Sequence, residues 1–194
     1  MTLPLPRCPW CGSDALYTAY HDQEWGVAEH DDQKLFEMLL LESAQAGLAW
    51  ITVLRKREGY RAAFCGFDPA AVAAMTDEDV ERLMHNPAII RNRLKLKSAI
   101  RNARVFVQLQ REHGSFANWL WQQVGTHPII NRPTSMADIP ARSDLSDRLS
   151  KALQQAGMNF VGSTIIYAYL QAVGVVNDHL LSCHRHPDFT PPTA

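Results

Sequence analysis

The chain has 194 residues, 46% hydrophobic and 20% charged, with 19 basic and 20 acidic side chains and a formal net charge of -1. A chain of this length makes one domain that buries roughly 70% of its unfolded surface without covalent staples. The composition excludes a disordered or collagen-like chain. No run reads as a membrane span, because the most apolar stretch, 160–176, carries Ser163, Thr164, Gln171 and two glycines.

In chain order, the opening Met1-Thr2-Leu3-Pro4-Leu5-Pro6-Arg7 has no basic stretch leading into an apolar one. No secretory signal is read, and a reducing cytoplasm is the expected compartment. The four cysteines, Cys8, Cys11, Cys65 and Cys183, are then free thiols or metal ligands rather than a disulfide framework. Tyr17, Tyr20, His21 and Trp25 fall three and four apart and share a helix face. Such a stripe is ordinarily core, but two hydroxyls beside a histidine tilt it toward a pocket. Apolar residues at 35, 36, 39, 40 and 46 predict a helix from Asp32 to Gly47. Glu42 lies on the apolar side of that helix. It is either an edge residue reaching water or a pocket acid for a cationic or donor-rich ligand.

Asp68-Pro69 starts a further helix, and Thr76 with Asp79 three residues on is a relative of the capping box. Leu96, Ile100, Ala103 and Val107 line one face of a long helix ending near His113. The segment from Thr126 to Arg142 holds three prolines and is expected as a surface loop. Two more helices are expected, Leu145 to Ala156 and Ser163 to Gly174, joined by a glycine turn over 157–162. A glycine turn that opens a helix presents free N–H groups suited to a phosphate, although a plain helical hairpin has the same pattern. No run alternates with period two and no repeat is visible, so the expected class is all-α. A single domain over 1–187 and a flexible tail over 188–194 complete the organisation.

Two features carry chemistry. His179 and Cys183 are four apart and would share a face if their segment were helical. With Cys8, Cys11 and His21 near the other terminus, they could form a tetrahedral zinc site tying the chain ends together. His184 and His186 are further candidates, and buried thiols with surface histidines are the alternative. The charge is also polarised. Arg82 to Arg111 holds eight basic residues and no acid, whereas Asp22 to Glu42 holds seven acids and one lysine. A basic face could meet phosphates, or it could be a solvated helix side.

As a set, the residues resemble the bacterial type I 3-methyladenine DNA glycosylases, from about Arg7 to Cys183. The carriers are Tyr17-Thr18-Ala19-Tyr20-His21-Asp22 with Glu24-Trp25-Gly26, Leu41-Glu42 with Gln45 to Leu54, Ile89 to Arg93, Asn102-Ala103-Arg104, and Phe160-Val161-Gly162 through Val176-Asn177-Asp178-His179. The resemblance implies a helix-hairpin-helix glycosylase fold, with the hairpin over about 149–173 and one structural zinc on Cys8, His21, His179 and Cys183. Cys11 is not implied as a ligand. The base pocket falls on Tyr17, Tyr20, Glu42 and Trp50, with Glu42 the acid that acts on the base. DNA contact falls on Gly47 and Leu48, on Gly162 and Ser163 of the hairpin, and on Arg91 and Arg93 of the basic stretch. The implied enzyme works as a monomer on double-stranded alkylated DNA, needs no membrane, and hydrolytically releases free 3-methyladenine without cutting the strand. Many relatives in the wider superfamily carry a catalytic aspartate in a Val-Asp-Thr-His-like run. Here Asn177 stands at that place and Asp178 follows it, which favours absence of the aspartate. Ala28, Ser43, Ala44 and Ala88 depart from the usual pattern without removing a pocket residue or ligand. The competing readings are a non-catalytic DNA-binding module with a structural metal, and a glycosylase for a related lesion such as 3-methylguanine.

Overall fold

A computed structural model describes residues 5–190. Helix starts follow local capping chemistry. The Asp14 carboxylate accepts from the N–H groups of Leu16 and Tyr17 and opens α1 (Ala15–Gln23). Asp31 accepts from Lys34 N–H at 2.9 Å and opens α2 (Asp32–Gln45). Two short helices follow, α3 (Trp50–Leu54) and α4 (Arg57–Ala63). Asp68 caps α5 (Pro69–Ala73) as its sequence predicts. Thr76 N–H donates to Asp79 at 2.6 Å at the start of α6 (Asp77–Met84). The long helix α7 (Arg93–His113) starts earlier than its apolar stripe, because the Asn92 side chain accepts from Leu94 and Lys95 N–H. Then come α8 (Phe116–Gln122), α9 (Asp144–Gln155) and α10 (Ser163–Ala172).

The all-α expectation holds with one addition. β1 (Ile129–Ile130) pairs in parallel with β2 (Val176–Asn177), Ile129 opposite Val176 and Ile130 opposite Asn177. Two-residue strands are too short to show alternation, so no sequence pattern could announce them. The segment of His179 and Cys183 forms turns rather than helix, and Cys183 N–H donates to Leu180 O at 2.8 Å.

The core is organised around α2, which packs on α3, α7, α8 and α10. Every residue from Leu35 to Ala44 is buried, so two of its carboxylates, Glu37 and Glu42, are enclosed with it. Glu37 is answered by Arg57 and Arg61, each 2.7 Å away. The segment after α1 lies against the end of α10, with Gly26 N–H donating to Gln171 O. At Gly174 (φ +67°) a side chain would sit 2.2 Å from the Val27 carbonyl carbon, so this approach requires glycine.

The expected hairpin is present as α9, a turn and α10. Ser146 Oγ and Ser163 Oγ are 2.8 Å apart, and Ser150 Oγ donates to Val161 O at 2.7 Å. Polar residues of α7 grip the turn: Asn102 exchanges two hydrogen bonds with the Asn159 backbone, both 2.9 Å, and Arg101 donates to Gly157 O. Of the tail expected over 188–194, Asp188 pairs with Arg132 at 2.7 Å, and 191–194 lie outside the described residues. Among the described residues no helix is long and apolar enough to cross a membrane.

Candidate functional site

The chain ends meet where the sequence places its soft ligands. Cys8, His21, His179 and Cys183 are all buried, and their donor atoms lie within 4.8 Å of one another. Cys8 Sγ is 3.6 Å from His179 Nδ1, and Cys183 Sγ is 3.4 Å from His21 Nε2 and 3.5 Å from His179 Nδ1. A tetrahedron with Zn–S near 2.3 Å and Zn–N near 2.05 Å has S–N edges of about 3.6 Å. The donor set therefore fits a four-coordinate ion with no position left for substrate. The outer partners fit as well. His21 Nδ1 sits 2.7 Å from Asp22 Oδ1, and His179 Nε2 sits 3.0 Å from Trp25 O, which directs the other ring nitrogens inward. Leu180 and Arg185 N–H donate to the sulfurs of Cys8 and Cys183. Cys11 stands apart, its thiol donating to Cys8 O at 3.1 Å.

The same short helix, α1, turns its tyrosines the other way, into a cavity of about 230 Å³. That is below the ~300–1,000 Å³ of drug-sized pockets and suits a single nucleobase. Its walls are Trp10, Tyr17, Tyr20, Trp25 and Trp50, with Met136, Ile139, Ala168 and Gln171 completing the rim. The rings form a connected set: Trp10 lies 5.1 Å from Tyr17 and 5.0 Å from Trp25, and Tyr20 lies 5.4 Å from Trp50. Glu42 stands behind this wall rather than on it, 4% exposed. Its Oε2 and the indole N–H groups of Trp10 and Trp50 are buried without a hydrogen-bond partner. Burial pushes the Glu42 carboxyl up to about 8. Burial also raises the phenols of Tyr17 and Tyr20, and in both the nearby Glu42 carboxylate adds to the rise. A larger groove of about 920 Å³ runs between α1, α2 and α4. Its central charges, Glu24, Glu37, Arg57 and Arg61, already satisfy one another, so it lacks the unanswered groups that mark the aromatic cavity.

Beyond the pocket, α2 ends at Gln45, and Gly47 (φ +78°) and the 40%-exposed Leu48 project from the connection to Trp50. Lys95 Nζ holds that connection, donating to the carbonyls of Ala44 and Ala46 at 2.9 and 2.6 Å. Gly162 caps α10 with no side chain covering the N–H groups after it. Much of the basic stretch is spent internally. Arg82 pairs with Asp79, Arg93 with Glu81 and Lys97 with Asp77, and Arg104 donates to Ala73 O and Met75 O. Arg91 is exposed.

The family model for methyladenine glycosylase matches residues 10–186. The chain belongs to that family. It is a glycosylase, hydrolysing N-glycosyl bonds in DNA base-excision repair. It is 50% identical to DNA-3-methyladenine glycosylase 1 of Escherichia coli strain K12, over 96% of this chain and all of the relative. A crystal structure of a 3-methyladenine DNA glycosylase I superposes with a TM-score of 0.91 at 52% identity, covering 94% of this chain and 100% of that one. A structure of the Staphylococcus aureus enzyme, solved for the basis of its 3-methyladenine recognition, matches with a TM-score of 0.90 at 36% identity, covering 93% and 96%.

For this glycosylase the sequence brought together Tyr17, Tyr20 and Trp50 in one cavity, with Glu42 behind it, and separated Cys11 from the metal cluster. It missed Trp10 and the rim from Met136, Ile139 and Gln171. Trp10 could have been found, since the ligand Cys8 two residues earlier fixes its place beside α1. The rim could not: the loop from Thr126 to Arg142 reads only as polar surface, and its approach depends on the two-residue pairing of β1 with β2. Asn177 Oδ1 accepts from His179 N–H, and Asp178 has both carboxylate oxygens engaged by protein donors.

Proposed function

We propose that this glycosylase extrudes N3-methylated adenine from double-stranded DNA and releases it by hydrolysis, acting as a monomer and leaving the strand intact. The observation that carries the reading is the Glu42 carboxyl, buried with one oxygen unanswered behind a wall of aromatic rings. Adenine methylated at N3 is a cation in DNA, with an exocyclic amine to donate. The rings supply cation–π attraction, on the order of 1–2 kcal/mol each once desolvated. The arriving cation favours the ionised form of Glu42, which then accepts from the base more strongly for its charge. Normal adenine is neutral and gains neither of these charge terms.

The chemistry needs little else. The departing base takes the electron pair of the glycosidic bond, which cancels its positive charge, so it leaves neutral and needs no acid. Water forms the new bond at the sugar carbon and gives its proton to solvent. Among the described residues no lysine lines the cavity, which supports hydrolysis rather than a Schiff base and strand cleavage. On the DNA side, Leu48 and Gly47 fit the place vacated by the extruded nucleotide. The uncovered N–H groups after Gly162, beginning at Ser163, fit a phosphate. Of the two arginines assigned from sequence, Arg91 is available to DNA while Arg93 is engaged with Glu81.

We assign zinc to the Cys8, His21, His179, Cys183 cluster as a structural ion. Its role is to lock the chain ends and so fix Trp10 and α1 as one side of the pocket. The decisive assay is base release from a methylated duplex, with products separated by mass. Released 3-methyladenine with an uncut strand supports the reading. A protein that binds the duplex but frees no base would be a binding module instead, and release led by 3-methylguanine would move the specificity to that lesion.

A further inference from the structure

One wall of the base cavity is polar, and the reaction above does not use it. Gln171, near the end of α10, is half-buried and lines the cavity. Its Nε2 donates to Asp178 Oδ2 at 2.7 Å. Asp178 is 1% exposed. Its Oδ2 also accepts from Tyr167 OH at 2.7 Å, and its Oδ1 accepts from Asn131 Nδ2 at 2.6 Å. All three contacts are made by neutral donors with Asp178 as the acceptor. The Gln171 amide is thereby held with its nitrogen toward Asp178. Its Oε1 has no protein donor among the described hydrogen bonds and is the polar atom left for a ligand. Donation from the amide nitrogen polarises the amide and enriches that oxygen.

We propose that Gln171 is a specificity-determining residue whose Oε1 accepts a hydrogen bond from the exocyclic amine of the bound base, and that Asp178 is the positioning residue that sets its orientation. This rests on reading the cavity as the base pocket. It gives the buried Asp178 a role although it stands one place past the superfamily aspartate: it acts on the base through an amide, not on water. Asn131, bound to the same carboxylate, follows β1 in the loop that brings Met136 and Ile139 to the rim, so one acid aligns two parts of the wall.

The test compares binding of free 3-methyladenine with 3-methylpurine, which lacks the exocyclic amine, by calorimetry on the metal-loaded protein. The wild-type preference for 3-methyladenine should fall about fivefold in Gln171→Met, the range of one lost hydrogen bond. Gln171→Asn, which withdraws the amide by one methylene, should do the same and serves if Gln171→Met does not fold. An unchanged preference, or equal weakening of both ligands, overturns the proposal, because a packing role would not distinguish them. For Asp178 the readout is in the wild type. The side-chain amide protons of Gln171 should exchange with water at least tenfold more slowly than those of an exposed glutamine. Exchange at the exposed rate removes Asp178 from the proposal. A wild-type protein that binds neither ligand removes the base-pocket reading itself, and this inference with it.

Discussion

The metal cluster and the base pocket share α1 and are built on opposite rules. Around the cluster, His21, His179, Cys8 and Cys183 each have a further partner, from Asp22 or from backbone groups. Around the pocket, Trp10, Trp50 and Glu42 are buried with polar atoms unanswered. The contrast recurs within α2, where Glu37 is held by two arginines and Glu42 Oε2 has no partner among the described residues. Unanswered buried groups cost stability, and a fold keeps them where a ligand will answer them. The cluster stabilises the fold, and the pocket uses part of that stability for recognition.

The largest effect that would break this contrast lies at the cluster. Cys183→Ser removes a thiolate ligand, and for a site of this kind metal-binding free energy, on the order of 10 kcal/mol, is folding free energy. We expect loss of the metal and a large fall in the thermal midpoint. Cys11→Ser should keep full metal content. A fully loaded Cys183→Ser protein, or metal loss in Cys11→Ser, would reassign the ligands.

The next effect has the opposite sign. Burial holds the Glu42 carboxyl near 8, against about 4.3 in an unfolded chain. The folded state thus binds this proton more tightly than the unfolded state does. Stability from this site is fully present below about pH 4.3 and is lost as pH rises from there toward 8. At pH 7 the loss is on the order of 3 kcal/mol. Glu42→Gln escapes it and should have a higher urea midpoint at pH 7, with the gain gone near pH 4, while excision of 3-methyladenine falls sharply. A variant that is both less stable and fully active would mean that Glu42 has a partner in solution and no ligand role.

Much of this was legible in the sequence, and unevenly. Helix starts at Asp68 and Thr76 were readable because their caps lie within three residues of the chain they satisfy. Soft donors are rare and cluster at the two ends, which marked a metal site, while the choice of Cys8, His21, His179 and Cys183 over Cys11, His184 and His186 came from the family resemblance. Glu42 stood out as an acid in an apolar stripe, yet its twin Glu37 did not, because its arginines come from a different helix. The pairing of the basic stretch was partly hidden for the same reason. Of its counter-charges, Asp77 and Glu81 meet Lys97 and Arg93 of α7 only across the fold, whereas Asp79 meets Arg82 within α6, three residues on. Long-range pairing is what composition leaves out.

A smaller effect concerns Lys95. It sits in the basic stretch, but its ammonium is turned inward on the carbonyls of Ala44 and Ala46, and burial lowers its pKa. It braces the end of the helix that carries Glu42 and the turn that carries Leu48. Lys95→Met should cost about 1–3 kcal/mol, the range for hydrogen bonds to a charged group. Excision from DNA should fall more than binding of free 3-methyladenine, since the turn meets DNA and the base does not need it. Equal losses in both assays would place Lys95 in the pocket itself.

The smallest expected effect separates two neighbouring arginines. Arg93 is 46% exposed in its side chain and paired with Glu81. Releasing it to a phosphate means breaking that pair, which is weak because solvent screens it. Arg91 has no such exchange to make. Each phosphate contact contributes roughly 0.9 to the slope of log affinity against log salt on duplex DNA. Arg91→Ala should therefore flatten that slope by about one and weaken binding alike on damaged and undamaged duplexes. Arg93→Ala should change the slope by less, because part of its charge is already neutralised in the free protein. Glu81→Gln frees Arg93 and should strengthen binding at low salt only. If Arg93→Ala proves the more damaging and Glu81→Gln is silent, the pair opens on DNA, and the ion pairs on this face are a resting state rather than a fixed part of the fold.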